Sequence, residues 1–333
     1  MDPISQGLVG AAFSQSHGTH KQLKIAGILG FLSGMAADLD VFIRSSSDPL
    51  LFLEYHRQFT HSLIFIPFGG LICALVLHQL FSRRHQIELK NTWLFCTLGY
   101  ATHALLDACT TYGTQLLWPF SDARIAWNII SIIDPIYTLT LAALLLTAYI
   151  SKKRKFAILA LVWVVSYPLV GLVQRERAID GAQLLAATRN HVPTELTAKP
   201  SFGNLLVWKT VYEANSHYYV DAVRAGIDIA VFPGDVVEKL ELNRDFPWLI
   251  AGSQQALDID RFRWFSNGYV AKDPDNANRI IDIRYSMVPH EINALWSIEL
   301  SRGAKRESHV VYKTNREASQ AKIDQFLQMI INP

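Results

Sequence analysis

The chain has 333 residues, half of them apolar and only 18% charged, with a formal net charge of +2, whereas a soluble domain carries about 25% charged residues. With a mean hydropathy of +0.16, this composition points to a protein that is partly embedded in a membrane. It also excludes a polyanion-binding footprint, because no basic block lies outside the short SRRH and SKKRK loops, so no nucleic-acid partner is expected. Cys73, Cys96 and Cys109 lie in or beside apolar runs without CxxC spacing, which argues against a disulfide framework or a thiolate zinc site.

The length fits two domains, and the apolar character is confined to the first half. Residues 3–14 form an apolar stretch too short to span, expected as a re-entrant or interfacial helix. No basic region precedes it, so a cleaved signal peptide is not expected. Five spans are expected next. Residues 62–81 (SLIFIPFGGLICALVLHQLF) carry no formal charge over about the 20 residues a spanning helix needs. Residues 156–173 are nearly as apolar, and residues 129–150 are long enough but carry Asp134 near their start. Asp134 precedes Pro135, the pairing of a cap with a first-turn residue. Residues 25–43 and 92–109 are apolar runs that end in ionisable motifs. His78, alone in its apolar run, is expected to be structural.

Lysine and arginine in short loops favour the cytoplasm. Lys21 and Lys24 precede the first span; Arg83, Arg84 and Lys90 follow the second; Lys152, Lys153, Arg154 and Lys155 follow the fourth. With these loops inside, the ionisable motifs and everything after residue 174 fall outside. The expected architecture is therefore a helical membrane domain over residues 1–174 and an extracytoplasmic α+β domain over residues 175–333. In the second domain, residues 204–212, 217–224, 227–232, 262–271, 279–287 and 294–300 are rich in β-branched and aromatic residues, with turns at Pro233-Gly234 and Asn267-Gly268. They suggest one small antiparallel sheet. Residues 175–189 and 319–331 read as helices.

The chemistry lies in the motifs at the span ends: Asp38 and Asp40 in GMAADLDVF, His56 and His61 in HRQFTHS, His103 and Asp107 in HALLD. Ionisable groups beside hydrocarbon are expensive unless paired or ligating. His103 and Asp107 are four apart, on one face of a helix. Mixed imidazole and carboxylate donors suit zinc, manganese or iron better than magnesium or calcium. The six residues are thus candidate ligands of one or two divalent ions at the membrane surface, and Asp38 or Asp40, where not a ligand, is a candidate general base. Arg57 and Arg124 are candidates for binding a phosphate-bearing substrate.

The ordered motifs MDPISQGLVGAAF, GFLSGMAADLDVF, HRQFTHSL, HALLDACTTYGTQLLWPF and IIDP resemble the YdjM-like bacterial inner-membrane proteins, described as LexA-binding, membrane-associated, metal-dependent hydrolases. The resemblance is close over residues 1–175 and loose beyond. The family is distantly similar to zinc-dependent phospholipases C, which also use a His-x3-Asp helix. The resemblance implies a multi-pass, metal-dependent inner-membrane hydrolase of unassigned substrate; the position of the site at the outer membrane–water boundary points instead to membrane lipid as a partner and to an ester or phosphoester of a lipid or envelope molecule as substrate. Relatives usually carry His where this chain has Gln6 and Pro where it has Ala37. Gln is a poor ligand, so one donor fewer is expected unless His17 or His20 substitutes. The competing expectation is a non-catalytic scaffold whose metal or polar network supports a protein partner.

Overall fold

The computed structural model describes residues 1–316 and 319–331. Two compact units emerge. The first comprises Met1–Ile43, Tyr55–Leu172 and Phe202–Asn204, and the second Arg44–Glu54, Val173–Ser201 and Leu205–Pro333.

The first unit is helical: α1 (Pro3–His17), α2 (Leu23–Met35), the short α3 (Leu51–Tyr55) that crosses the division, α4 (Ile66–Leu80), α5 (Leu89–Ala108), α6 (Pro135–Ser151) and the first part of α7 (Arg154–Thr188). Ile25, Ala26 and Leu29 of α2, Ala74 and Leu77 of α4, and Phe95 and Cys96 of α5 make one core. The expected short helix is present as α1, which packs on α2, α5 and α6 with Ser5, Gln6, Val9 and Ser14 buried. The approach is close enough that a Cβ on Gly10 would stand 2.3 Å from the Gly30 carbonyl oxygen, the small-residue contact that lets helix backbones touch. Asp134 caps α6, accepting from the amides of Ile136 and Tyr137 at 3.1 Å each. His78 bonds Thr92, a structural contact.

Among the described residues, three helical stretches are long and apolar enough to cross a membrane: Leu23–Phe42, Leu63–Leu80 and Arg154–Thr188. Of the other two expected spans, α6 is apolar but only 17 residues long. The 20-residue α5 is not among the three because its inner face is polar, burying Thr92, Thr102, His103 and Asp107. The apolar side chains of α4 that face away from the core, Leu71, Ile72, Leu75 and Val76, are exposed, as a lipid-facing surface requires.

In the second unit, residues 175–188 continue α7 without a break past Pro168 instead of starting a new helix. Two antiparallel sheets follow where one was expected. The first runs β1 (Glu195–Pro200), β2 (Val207–Ala214), β3 (His217–Ala225), β4 (Ile229–Phe232), with β5 (Val236–Glu238) also on β3. After α8 (Leu242–Asp245) and α9 (Gln254–Phe265), the second sheet runs β6 (Val270–Lys272), β7 (Arg279–Asp282), β8 (Trp296–Glu299), β9 (Val311–Thr314), and α10 (Gln320–Ile331) closes the unit. Residues 262–271 are therefore not one strand. Phe262 and Phe265 finish α9, the chain turns at Asn267 and Gly268 with φ of 49° and 82°, and only Val270 onward pairs. Val211, Tyr218, Val220, Ile281 and Ile283 join the two sheets in one core.

Lys199 and Lys209 face each other across β1 and β2, and both are buried. Lys209 donates to Ser286 Oγ, Pro289 O and Glu291 O at 2.8, 3.1 and 2.8 Å. The Lys199 ammonium lies over the Tyr285 ring, 5.9 Å from its centroid. Burial, reinforced by the Arg284 charge, pushes the Lys199 ammonium down to about 7. Between that value and the ordinary lysine pKa the unfolded chain holds the extra proton, so stability rises with pH. From pH 7 to 9 the gain is roughly 2 kcal/mol if Lys199 acts alone. Amide-exchange protection of β1 and β2 in the full chain, corrected for intrinsic rates, should increase over that range. Burial pushes the Lys209 ammonium down to about 7 as well, so Lys199→Met should reduce the dependence without removing it, and an unchanged slope in that variant would assign it elsewhere.

Candidate metal centre

Four local structures deliver the ionisable residues. After α2 the chain tightens into a 3₁₀ stretch, Ala36–Phe42, in which residues three apart share a side. Ala37 and Asp40 are buried, Leu39 and Phe42 are 62% and 78% exposed, and Asp38 lies between. A second turn reverses at Arg57, whose φ is 67°, and enters the short 3₁₀ helix Phe59–His61. The last turns of α5 supply His103 and Asp107, both fully buried. The start of α1 supplies Gln6 and the Met1 amine.

Asp38 Oδ1, His61 Nε2, His103 Nε2 and Asp107 Oδ2 converge. His61 Nε2 lies 3.5 Å from Asp38 Oδ1 and 3.2 Å from Asp107 Oδ2; His103 Nε2 lies 3.4 and 3.6 Å from the same two oxygens. His61 Nε2, His103 Nε2 and Asp107 Oδ2 are buried without a hydrogen-bond partner. Such orphans are costly unless something between them binds all three. A tetrahedral ion with bonds of about 2.0–2.1 Å holds its donor atoms roughly 3.3–3.4 Å apart, so these separations fit one. The donor set is the first of two groups with ion-holding geometry, the second being Asp38, Asp40 and His56.

The hydrogen bonds around this set orient it. His103 Nδ1 faces the Gly34 carbonyl at 2.6 Å, which directs Nε2 inward. Asp40 Oδ2 accepts from the Arg57 amide at 3.0 Å and Thr60 Oγ1 at 2.7 Å, and stands 3.2 Å from His61 Nδ1. Asp40 Oδ1 bonds His56 Nδ1 at 2.7 Å. Four partners occupy this carboxylate, which aims the imidazoles of His56 and His61. Burial works against a charged His61, but the facing carboxylates of Asp107, Asp38 and Asp40 outweigh that and lift it to about 10. Burial and the neighbouring Arg57 charge hold His56 below its ordinary value despite its bond to Asp40.

The structure brings all six expected ligands together. It ties Arg57 to the cluster, with Nε 3.0 Å from Asp107 Oδ2 and Nη1 donating to Thr110 Oγ1. Arg124 donates to the Gly113 carbonyl at 3.0 Å, and both guanidinium groups lie over the Tyr112 ring. Gln6 is buried with Nε2 donating to Asp107 Oδ1 at 2.7 Å, and the Met1 amine meets the same oxygen. The position expected to carry His in the family thus touches the cluster through Asp107. His17 ends α1, about 20 Å along the helix from the site-facing start, and does not replace it. Sequence reasoning passes over Thr60, which bonds Asp40 and is held by Tyr100 Oη on its carbonyl; its place next to His61 is the only signal.

Residues 1–178 match the family of YdjM inner membrane proteins. The chain belongs to this family. It is 26% identical over 162 residues to the uncharacterized protein YfhP of Bacillus subtilis (strain 168), covering 48% of each chain. It is 38% identical over 81 residues to the inner membrane protein YbcI of Escherichia coli (strain K12), covering 23% of this chain and 44% of that one. The chain therefore spans about half the length of these curated relatives. No solved structure matches it. The family match runs through every residue of the cluster, from Gln6 to Asp107.

Proposed function

We propose that this family member is a membrane hydrolase whose four-donor set, Asp38, His61, His103 and Asp107, holds one divalent ion, zinc before manganese or iron. The observation that carries the reading is the convergence of three buried donor atoms that make no hydrogen bond, one of them ion-paired to Arg57, with Asp38 at 3.2–3.6 Å separations. When bound, such an ion supplies Lewis acidity toward an ester or phosphoester oxygen and toward water. The protein's own part is positional. Asp40 aims His61; Gly34 aims His103; Arg57 neutralises Asp107. Asp38 and His56, with side chains 20% and 18% exposed, mark the accessible side. There His56, pinned through Nδ1 by Asp40, offers Nε2 as a proton acceptor, so the acid–base role falls to an Asp40–His56 pair rather than to a carboxylate alone.

The substrate class follows from place. α2 and α5 run toward the cluster and α4 runs away from it, so Lys21, Lys24, Arg83, Arg84 and Lys90 lie at the opposite ends of these helices. By the positive-inside bias the cluster then faces outward, with the C-terminal unit extracytoplasmic and α5 and α6 completing five spans. Exposed Leu39 and Phe42 beside Asp38 and Asp40 suit an amphiphile, a lipid or envelope ester or phosphoester. The chain purified in lipid nanodiscs should hydrolyse a chromogenic phosphodiester or ester presented in the same bilayer, lose that activity to a chelator, and regain it with zinc. A second reading, a non-catalytic scaffold, is favoured by one feature: Arg57 already offsets the charge of Asp107. An ion held tightly with no hydrolysis of either substrate class would select it.

A further inference from the structure

Between the ligand pairs Asp38/Asp40 and His56/His61 the chain makes an excursion, Arg44–Glu54, which belongs to the second unit although both its flanks belong to the first. One side chain of that unit grips it twice. Arg261 on α9 holds Asp48 through two nitrogens, Nη1–Oδ1 3.0 Å and Nη2–Oδ2 2.8 Å, while its Nε donates to Glu54 Oε1. Arg261 is itself fixed by the fully buried Asp258, 3.0 Å away, which also accepts from the Val310 amide and meets His309 Nδ1. Phe52 packs edge-on against Tyr312 with ring centroids 5.2 Å apart, and Leu50 and Leu53 are buried. Exposed ion pairs are worth little singly, but a bidentate arginine with a buried carboxylate behind it is a geometric constraint.

We propose that Arg261 is a positioning residue for the metal centre: by anchoring Asp48 and Glu54 it fixes the exit of the excursion, and with it the placement of His56, Arg57 and His61 two to seven residues beyond Glu54. This rests on the metal reading above and deepens it, since it makes the C-terminal domain a determinant of metal affinity. The link is covalent and short. Glu54 precedes Tyr55 and His56 directly, and the amide of Arg57, in its left-handed conformation, is one of the bonds that hold Asp40. Freeing Glu54 loosens the turn whose Thr60 and Arg57 groups aim Asp40 at His61.

The test uses the full chain in detergent, with zinc as probe and a chelator in competition. Arg261→Ala should raise the zinc dissociation constant by about tenfold, the lower end of what supporting partners of metal ligands contribute. Asp48→Asn should do the same, and the double variant should be no worse than either single one, as expected for two halves of one contact. Arg261→Lys should recover part of the loss, and Arg263→Ala, whose partner Asp260 is exposed, should change nothing. In zinc-free protein, amide exchange over residues 55–61 should quicken in Arg261→Ala and Asp48→Asn while α4 and α5 keep their protection. Should Arg261→Ala fail to fold, Asp48→Asn alone decides. Unchanged exchange over residues 55–61 in a folded variant overturns the proposal, as does an additive double variant. If wild-type protein binds no zinc yet exchange over residues 55–61 still responds, the metal reading fails and the anchoring stands.

Discussion

Purified His103→Ala protein should retain no stoichiometric zinc, whereas wild type should hold one ion per chain after dialysis and His78→Ala should match wild type. His103 Nε2 is one of four donors, and its ring is already aimed by the Gly34 carbonyl on the other nitrogen. Replacing it by Ala removes a bond and leaves Asp38 and Asp107 facing each other without that imidazole. Four-coordinate ions bound by three protein donors do occur in open sites, so the loss should be read as affinity. A fall of at least about 100-fold is expected, beyond what removal of an orienting partner costs. His78 bonds Thr92 on the α4–α5 interface and touches none of the donors. Equal metal content in wild type and His103→Ala would remove the site.

The second large effect separates the two aspartates, which sequence alone cannot rank. Asp38 Oδ1 stands 3.4–3.5 Å from both imidazole Nε2 atoms, so Asp38→Asn takes a charged donor from the ion itself and should abolish retention. Asp40 is occupied by His56, the Arg57 amide, Thr60 and His61. Asp40→Asn should therefore keep one ion at saturating zinc with an affinity about 10- to 100-fold weaker. Its thermal midpoint should also fall, because an amide cannot accept from all four partners. Titration with competing chelator reads both. If the two variants lose the ion alike, Asp40 ligates, and the group Asp38, Asp40 and His56 is occupied as well.

Much of the membrane unit was legible in the sequence because a lipid environment demands long apolar runs, and α2, α4 and α7 have them. The packing of α1 was not. It depends on Gly10 and Gly30 letting two backbones touch, which no single helix reveals. In the C-terminal unit the alternating runs of β2, β3, β4, β7 and β8 were readable. The helix α9 was mistaken in part for a strand because Phe262, Trp264 and Phe265 carry strand-like chemistry on a segment capped by Ser253.

The site was legible as a set of residues and illegible as a division of labour. His and Asp beside hydrocarbon stand out by their cost, and the four-residue spacing of His103 and Asp107 fixes a shared face. Which aspartate faces both imidazole Nε2 atoms depends on the 3₁₀ turn that sends Asp40 inward and leaves Asp38 partly exposed. Arg57 reads as a substrate ligand by its charge and position, while its left-handed backbone and its bond to Asp107 are visible only in three dimensions.

X-ray absorption at the zinc edge of the purified, dialysed chain tests the centre most directly. One zinc per chain is expected, four-coordinate or five-coordinate with a water, with two imidazole nitrogens at about 2.0–2.1 Å and carboxylate oxygens at about 2.0–2.2 Å. One imidazole should disappear from the spectrum of whatever zinc His103→Ala is forced to hold at high concentration. A chain that retains no metal, or a zinc whose spectrum carries no imidazole, would contradict it.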